Sequence, residues 1–252
     1  MQQIAVFGWS RAWGSAIFTI ASELQSTYAP DLKLVGVAAG GLTPNVTSVL
    51  LTINGGVHSD LVPSGILGLS KAYSNLSSYV DENLVEATKP IFYSALDCYH
   101  EANFTYQNIF MYFKNNGTGL LSDPVPVSVL AAAGQMGRHG LPQVPLYFYK
   151  TQMDEVSPIA DTDKLVSQYC GQGVKSLEYV RNAVGDHTQE AVLGYGGALS
   201  WLAARLAGIP PLVSGCVTED VVVDRVDIGG VVAVSSVLLG ALEGQVGAPI
   251  LK

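Results

Sequence analysis

Apolar runs typical of buried β-strands alternate along this chain with segments patterned like helices. The first three runs are nearly continuously apolar, as expected of parallel strands covered on both faces. A proline follows the helical segment Ser15–Ser26, and Gly171-Gln172-Gly173 closes the segment Ile159–Cys170. This alternation predicts parallel βα units and an α/β fold. The predicted strands are Ile4–Gly8, Leu32–Ala39, Val144–Lys150 and Ser176–Asn182, and the last core helix is Glu190–Leu206.

The segment from Thr43 to Leu141 interrupts this alternation with short helical pieces separated by Gly, Pro and Asn turns. A structureless loop of that length is implausible inside a compact domain. We therefore predict an α/β core of residues 1–42 and 142–208, a helical cap of residues 43–141 and a C-terminal flap of residues 209–252. The helical pieces of the cap are predicted at Asn83–Thr88, Ile91–Tyr99 and Tyr106–Phe113, and the flap contains an apolar helix or hairpin at Gly229–Leu242.

The composition excludes several classes of partner. Only 13% of the residues are charged and the net charge is −8, whereas a nucleic-acid surface needs clustered Lys and Arg. Nucleic acid is therefore excluded as a partner. The uncharged stretch Ile228–Leu242 has 15 residues, fewer than the roughly 20 needed to cross a bilayer, so no membrane span is predicted. The three cysteines have no metal-ligand spacing, and no metal site is predicted.

A serine among small residues joins the first predicted strand to the first predicted helix, in the segment Gly8-Trp9-Ser10-Arg11-Ala12. A sharp turn at such a place holds a serine Oγ clear of the backbone, as a nucleophile requires. Ser10 is therefore the candidate nucleophile for covalent acyl transfer. The structural alternative is a helix N-cap after a buried strand.

A serine nucleophile needs a base to take its proton and an acid to orient that base. Where a serine turn of this kind forms the site, the chain order is Ser, acid, His, with each residue just past a strand end. Asp154 follows the third predicted strand, and His187 follows the fourth. We predict Asp154 as the orienting acid and His187 as the general base.

Other residues compete for these roles. Asp161 and Asp163 are alternatives to Asp154, which itself has helix capping as a structural alternative. Asp186 is predicted to be a turn residue next to the base. The remaining histidines, His58, His100 and His139, lie in the insertion and are assigned to the surface of the cap.

Together these blocks resemble the fungal secretory lipase family, the lipase-A-like α/β-hydrolases. The resemblance is carried by Gly8–Gly14, Tyr28–Gly41, Asp154–Pro158 and Gly185–His187. The family's usual pattern at the serine is Gly-Tyr-Ser-Gln-Gly-Gly. This chain departs from that pattern at Arg11-Ala12-Trp13, where the small Ala12 is expected to preserve the turn. The resemblance implies the α/β-hydrolase parallel sheet, here about four strands, with the insertion as a lid.

The resemblance also implies a function. It suggests a serine carboxylic ester hydrolase, a lipase acting on triglyceride or other lipid esters through an acyl-serine intermediate, with no cofactor. Ser10, Asp154 and His187 would form the triad, and the Arg11 N–H would be one donor of the oxyanion hole. The N-terminal part of the family, with the second donor, is expected to be missing from this chain. A disulfide between Cys170 and Cys216 and a lost partner for Cys98 are implied as well.

The family suggests an extracellular protein, although the N-terminus here has neither the basic region nor the cleavage site of a signal peptide. Four glycosylation sequons point to the secretory pathway. They lie at Asn45, Asn75, Asn103 and Asn116.

Two other functions stay open. One is a secondary-metabolite esterase or acyltransferase, because the cap rather than the triad shapes the acyl and alcohol pockets. The other is a truncated, non-catalytic fragment that binds lipid or a partner. The aromatic stretch Tyr106–Phe113 is predicted to pack inside the cap, with contact to a lipid interface as the alternative.

Overall fold

The computed structural model describes residues 3–9, 14–97 and 101–222. The chain divides into two compact units. The core unit comprises Met1–Leu42, His139–Asp154 and Thr162–Lys252, and the cap unit comprises Thr43–Arg138 and Glu155–Asp161. The cap unit thus includes a short segment that directly follows Asp154 in sequence.

The described strands and helices follow the predicted alternation. The strands are β1 (Ile4–Trp9), β2 (Leu34–Gly40), β3 (Leu146–Thr151), β4 (Ser176–Asn182) and β5 (Gly215–Val221). The helices are α1 (Gly14–Tyr28), α2 (Val46–Ile53), α3 (Leu61–Ala72), α4 (Ser74–Asn83), α5 (Lys89–Ser94), α6 (Gly119–Ser122), α7 (Pro124–Ala133), α8 (Ile159–Gly171), α9 (His187–Leu193) and α10 (Tyr195–Leu206). Short 3₁₀ turns lie at Glu86–Thr88, Glu101–Phe104, Ile109–Tyr112 and Lys114–Gly117. Within the described part of the chain, no helix has the length and apolar character to cross a bilayer.

The strands form one parallel sheet in the order β1-β2-β3-β4-β5. Every residue of β3, at its centre, is buried, which explains why its sequence is almost continuously apolar. α1 and α10 pack against β1 and β2. Among the buried side chains of the core, Tyr147, Tyr149 and Trp201 form an aromatic cluster with ring centroids 5.8 to 6.3 Å apart.

The prediction of about four strands was one short, because β5 falls in the segment assigned to a C-terminal flap. The side chains of Cys216–Asp220 are exposed, so the segment lacks the apolar run by which β1 to β3 were recognised. Backbone pairing to β4 along its whole length holds β5 in the sheet. A disulfide between Cys170 in α8 and Cys216 adds a covalent link, and the pairing implied by the family pattern is confirmed.

The predicted single helix Glu190–Leu206 is instead two helices, α9 and α10, on either side of Gly194. A Cβ at Gly194 would lie 1.9 Å from Cδ2 of Tyr149, so only glycine allows the backbone to pass this buried ring. A Cβ at Gly40 would lie 2.1 Å from the same ring. Tyr149 is therefore held between two glycine backbones, and this long-range contact has no local sequence signal.

The cap unit surrounds an apolar interior in which Phe92, Phe104, Ile109 and Phe113 are buried. Phe92 and Phe113 meet edge to face with ring centroids 5.2 Å apart. The three helical pieces predicted for the cap were wrong in their bounds. Asn83–Thr88 spans the end of α4 and a 3₁₀ turn, Ile91–Tyr99 contains only part of α5 before the described residues end, and Tyr106–Phe113 contains only a 3₁₀ turn. Helices this short depend on packing more than on local propensity, so local patterns define them poorly.

Several other predicted features lie outside the described residues. Cys98, His100 and the apolar run Gly229–Leu242 belong to this part. Their predicted roles therefore stay predictions.

Candidate active site

Asp154 and His187 meet beyond the carboxyl ends of adjacent strands. Asp154 follows β3 in a short loop, and His187 begins α9 after β4. His187 Nδ1 lies 2.8 Å from Asp154 Oδ2. Both residues are buried, with 7% and 8% of their surface exposed. The sequence-predicted acid and base are thus brought into direct contact.

Two features hold His187 in this position. Asp186 is the N-cap of α9, where its carboxylate accepts a hydrogen bond from the Gln189 N–H and the Gln189 side chain accepts one from the Asp186 N–H. This capping box starts α9 at His187 rather than at the predicted Glu190. The hydroxyl of Thr151, at the end of β3, donates to the carbonyl of Gly185 at 2.6 Å. The loop before His187 is therefore pinned to the strand that leads to Asp154.

Lys150 completes the polar group around Asp154. Its Nζ donates to Asp154 Oδ2 at 2.7 Å and to the carbonyl of Leu42 at 2.8 Å. Neither the Lys150 nor the Asp154 side chain has exposed surface. Sequence reasoning missed Lys150, although a lysine in the otherwise apolar run LYFYKT was a usable signal.

The charges around Asp154 keep it ionised. Burial by itself raises the pKa of this carboxyl, but the hydrogen bond from His187 and the positive charge of Lys150 outweigh that effect. The pKa of Asp154 is consequently held well below its usual range. An acid that stays charged at neutral pH can orient an imidazole and stabilise its protonated form.

The structure places the competing residues elsewhere. Asp163 pairs with Arg181 at 3.4 Å, and Asp161 lies in the first turn of α8. His58 pairs with Glu155 at 3.1 Å in the cap unit. The assignment of His139 to the cap surface was wrong, because His139 belongs to the core unit, where its backbone N–H donates to the buried Glu23.

The serine turn itself lies outside the described residues. β1 ends at Trp9 and α1 begins at Gly14, so the predicted strand and helix flank the segment that contains Ser10 and Arg11. The roles of these two residues stay predictions. No group of three or more His, Cys, Asp or Glu side chains among the described residues is arranged to hold a metal ion.

A parallel βα sheet with a helical insertion and a buried acid–histidine pair past adjacent strand ends is the arrangement of the α/β-hydrolase fold. The solved structure of Candida antarctica lipase A is similar to this chain with a TM-score of 0.84 at 19% identity, over 99% of this chain and 61% of that one. The described fold is thus that of lipase A. Residues 1–215 match the family described as Secretory lipase, and the chain belongs to this family.

Individual relatives agree with this assignment. Lipase A of Arthroderma benhamiae is 34% identical over 250 residues, which are 98% of this chain and 52% of that protein. A trichothecene C-3 esterase of Fusarium sporotrichioides is 35% identical over 227 residues, which are 84% of this chain and 50% of that protein. The resemblance to fungal secretory lipases is confirmed. The chain spans about half the length of these two relatives.

Proposed function

We propose that this chain carries the catalytic triad of a serine carboxylic ester hydrolase, a lipase or esterase that works through an acyl-serine intermediate. The observation that carries the proposal is the 2.8 Å contact between Asp154 and His187. Membership of the secretory lipase family supports the class of reaction. Ser10 is the proposed nucleophile, since it lies in the segment that joins β1 to α1.

The chemistry follows from the state of the pair. Ionised Asp154 accepts a hydrogen bond from the Nδ1–H of His187, which leaves Nε2 free of a proton and able to act as the base. As the Oγ of Ser10 attacks the ester carbonyl, His187 takes the proton of the hydroxyl. The Arg11 N–H stabilises the oxyanion. The proton then passes to the leaving alcohol. Water then attacks the acyl carbon while His187 takes its proton and returns it to the departing Oγ of Ser10, which releases the acid and restores the serine.

Lipid esters such as triglycerides are the proposed substrates. The cap unit presents apolar side chains to solvent, among them Leu51, Val57, Tyr106 and Met111, which are 48% to 70% exposed. Backbone bonds from Tyr106 to Gly56 and from Gly55 to Gln107 join two of the segments that carry them. A surface of this kind suits contact with a lipid interface. Elsewhere in the stretch Tyr106–Phe113, Ile109 and Phe113 are buried, in agreement with the packing role.

A secondary-metabolite esterase is the second candidate. It is favoured by the 35% identity to a relative named trichothecene C-3 esterase, which is close to the 34% identity of the relative named lipase A, although over a smaller share of this chain. The two candidates share the triad and differ in the alcohol that they release. Comparing the hydrolysis of a triglyceride emulsion with that of a soluble trichothecene C-3 ester separates them.

An extracellular location is proposed with this function. The Cys170–Cys216 disulfide is a bond that persists in oxidising compartments. Asn75, Asn103 and Asn116 are exposed and accessible to a glycan. Asn45 is only partly exposed, and its side chain caps α2 by accepting from the Ser48 N–H.

The test is hydrolysis of p-nitrophenyl butyrate and palmitate by the chain and by its Ser10→Ala variant. We expect a loss of at least about 10³-fold in kcat. Ser78→Ala, at an exposed serine of α4, serves as the control and should retain full activity. A fluorophosphonate probe should also label Ser10, as found by peptide mass spectrometry.

Two results would count against the proposal. Full activity in Ser10→Ala would place the nucleophile elsewhere. A cooperatively folded chain that neither hydrolyses any ester nor reacts with the probe would support the non-catalytic fragment.

A further inference from the structure

Lys150 is a buried cation that the reaction described above does not use. Its side chain has no exposed surface, and burial of an ammonium group is costly unless it is paired and hydrogen-bonded. Its partners are a carboxylate and a carbonyl: Asp154 follows β3, and Leu42 follows β2. The lysine therefore joins the ends of two strands through the acid of the proposed triad.

Lys150 and His187 bind the same oxygen of Asp154. Nζ of Lys150 lies 2.7 Å from Oδ2, and Nδ1 of His187 lies 2.8 Å from it. The histidine thus faces a carboxylate whose charge is already balanced by a cation, rather than an unopposed negative charge. An unopposed buried carboxylate would favour the protonated imidazole more strongly.

We propose that Lys150 is a positioning residue that fixes Asp154 Oδ2 against the end of β2 and balances its charge, so that removing the lysine leaves His187 facing an unopposed carboxylate. The inference rests on the proposed function. The lysine would thus set the pH range in which His187 can act as a base, in addition to supporting the fold.

The other ionisable groups near His187 along the chain do not account for the effect expected of Lys150. Asp186 caps α9, and Glu190, one turn along α9, accepts a hydrogen bond from Asn182 of β4 at 2.5 Å. Tyr195 lies at the start of α10, which follows α9. All three are unchanged in a Lys150 variant, so their influence on His187 cancels in the comparison.

The decisive measurement is the NMR titration of the His187 ring in the wild-type protein, in Lys150→Met and in Lys150→Gln. The ring signal is assigned by its loss in His187→Gln. Methionine removes both the charge and the donor, while glutamine removes the charge and keeps an N–H donor. We expect the pKa of His187 to rise by about 1 unit in both variants, because a nearby positive charge is lost. The acidic limb of kcat/KM should move to higher pH by the same amount, since only neutral His187 accepts a proton.

Val180→Ala provides a matched structural control. Val180 is buried in the core on β4, so its truncation weakens the core unit without removing a charge. The His187 titration should stay at its wild-type position in this variant. If Lys150→Met or Lys150→Gln also leaves that titration unchanged, or lowers it, the proposal is wrong and Lys150 supports the fold alone.

The titration also separates this inference from the proposed function. It is recorded on the resting protein and needs no turnover. A raised pKa together with Ser10-independent or absent hydrolysis would reject the proposed function while upholding the charge balance. Ser10-dependent hydrolysis with an unchanged titration would uphold the proposed function and reject the charge balance.

Discussion

The core unit and the cap unit differ in what they bury. Among the described residues, the buried charged side chains all lie in the core unit: Glu23, Lys150, Asp154, Glu190 and Arg205. The buried polar side chains of the cap unit are hydroxyls: Thr43, Ser59, Ser70 and Ser157. Ser59 and Ser70, for example, donate to the carbonyls of Phe104 and Ile66.

Two of the buried charges of the core unit, Lys150 and Asp154, belong to the candidate site, whereas the buried side chains of the cap unit serve packing. Buried charge is costly without a partner, and the core unit accepts that cost where Asp154 contacts both Lys150 and His187. The cap unit buries aromatic and aliphatic side chains together with small hydroxyls, of which those of Ser59 and Ser70 donate to backbone carbonyls. We therefore expect changes in the core's charged group to alter activity and pH dependence, and changes in the cap's interior to alter stability.

The largest effect is expected from Asp154→Asn. The amide would no longer fix the His187 tautomer, so kcat for p-nitrophenyl butyrate should fall by about 10⁴-fold, as in other triads of this kind. Lys150 would also be left without its carboxylate, at a cost of about 3–5 kcal/mol in the free energy of unfolding. Ester assays and urea unfolding at neutral pH measure the two losses.

The stability loss in Asp154→Asn should depend on pH. The pKa of Asp154 is lowered in the folded state, so its contribution is present above the ordinary carboxyl pKa of about 4 and is lost as the pH falls toward the folded value. The gap in unfolding free energy between wild type and variant should thus narrow below about pH 4. Asp163→Asn, at a partly exposed carboxylate paired with Arg181, is the control and should lose little activity. A gap that widens in acid would contradict the sign.

Phe92→Ala tests the cap side of the comparison. Phe92 is fully buried and packs edge to face on Phe113, so truncation should cost about 3–5 kcal/mol of unfolding free energy. Ile91→Ala, at a neighbouring side chain that is 42% exposed, should change it by less than about 0.5 kcal/mol. The His187 titration should be unchanged in both. A shifted titration in Phe92→Ala would show that packing and chemistry are not separable in this way.

The same contrast explains what the sequence could predict. β1 to β3 were predicted because each is an apolar run between helical patterns, and β4 because it continues the same alternation. Asp154 and His187 were predicted because they follow strand ends in the expected order. β5 was missed because its side chains are exposed. Its place depends on pairing with β4, which no local pattern encodes.

Long-range contacts account for the other differences. One partner of Lys150 is the carbonyl of Leu42, 108 residues away in sequence, and no local pattern around the lysine indicates this contact. The break between α9 and α10 depends on the ring of Tyr149. In the cap, α5 and α6 have only six and four residues and are defined by packing.

Apart from the controls, Gly194→Ala is expected to cause the smallest loss of unfolding free energy among these variants. A glycine substitution in the cap unit serves as the comparison. The added methyl would meet the Tyr149 ring at 1.9 Å, and the overpacked core should lose about 1–3 kcal/mol of unfolding free energy. Gly68→Ala, within α3 of the cap, is the matched change, since a Cβ added there would meet nothing within 4 Å apart from its chain neighbours and the backbone of its own helix. It should gain about 0.5–1 kcal/mol from the better helix propensity of alanine.

A double-mutant cycle with Tyr149→Leu identifies the cause of the Gly194→Ala loss. If the clash with the ring is responsible, the smaller leucine should relieve most of it, and the two changes will be non-additive by about 1 kcal/mol or more. Additive losses would instead trace the effect to the backbone at the junction of α9 and α10. Because that junction follows the helix that begins with His187, a clash-driven shift should also lower kcat, whereas Gly68→Ala should leave it unchanged.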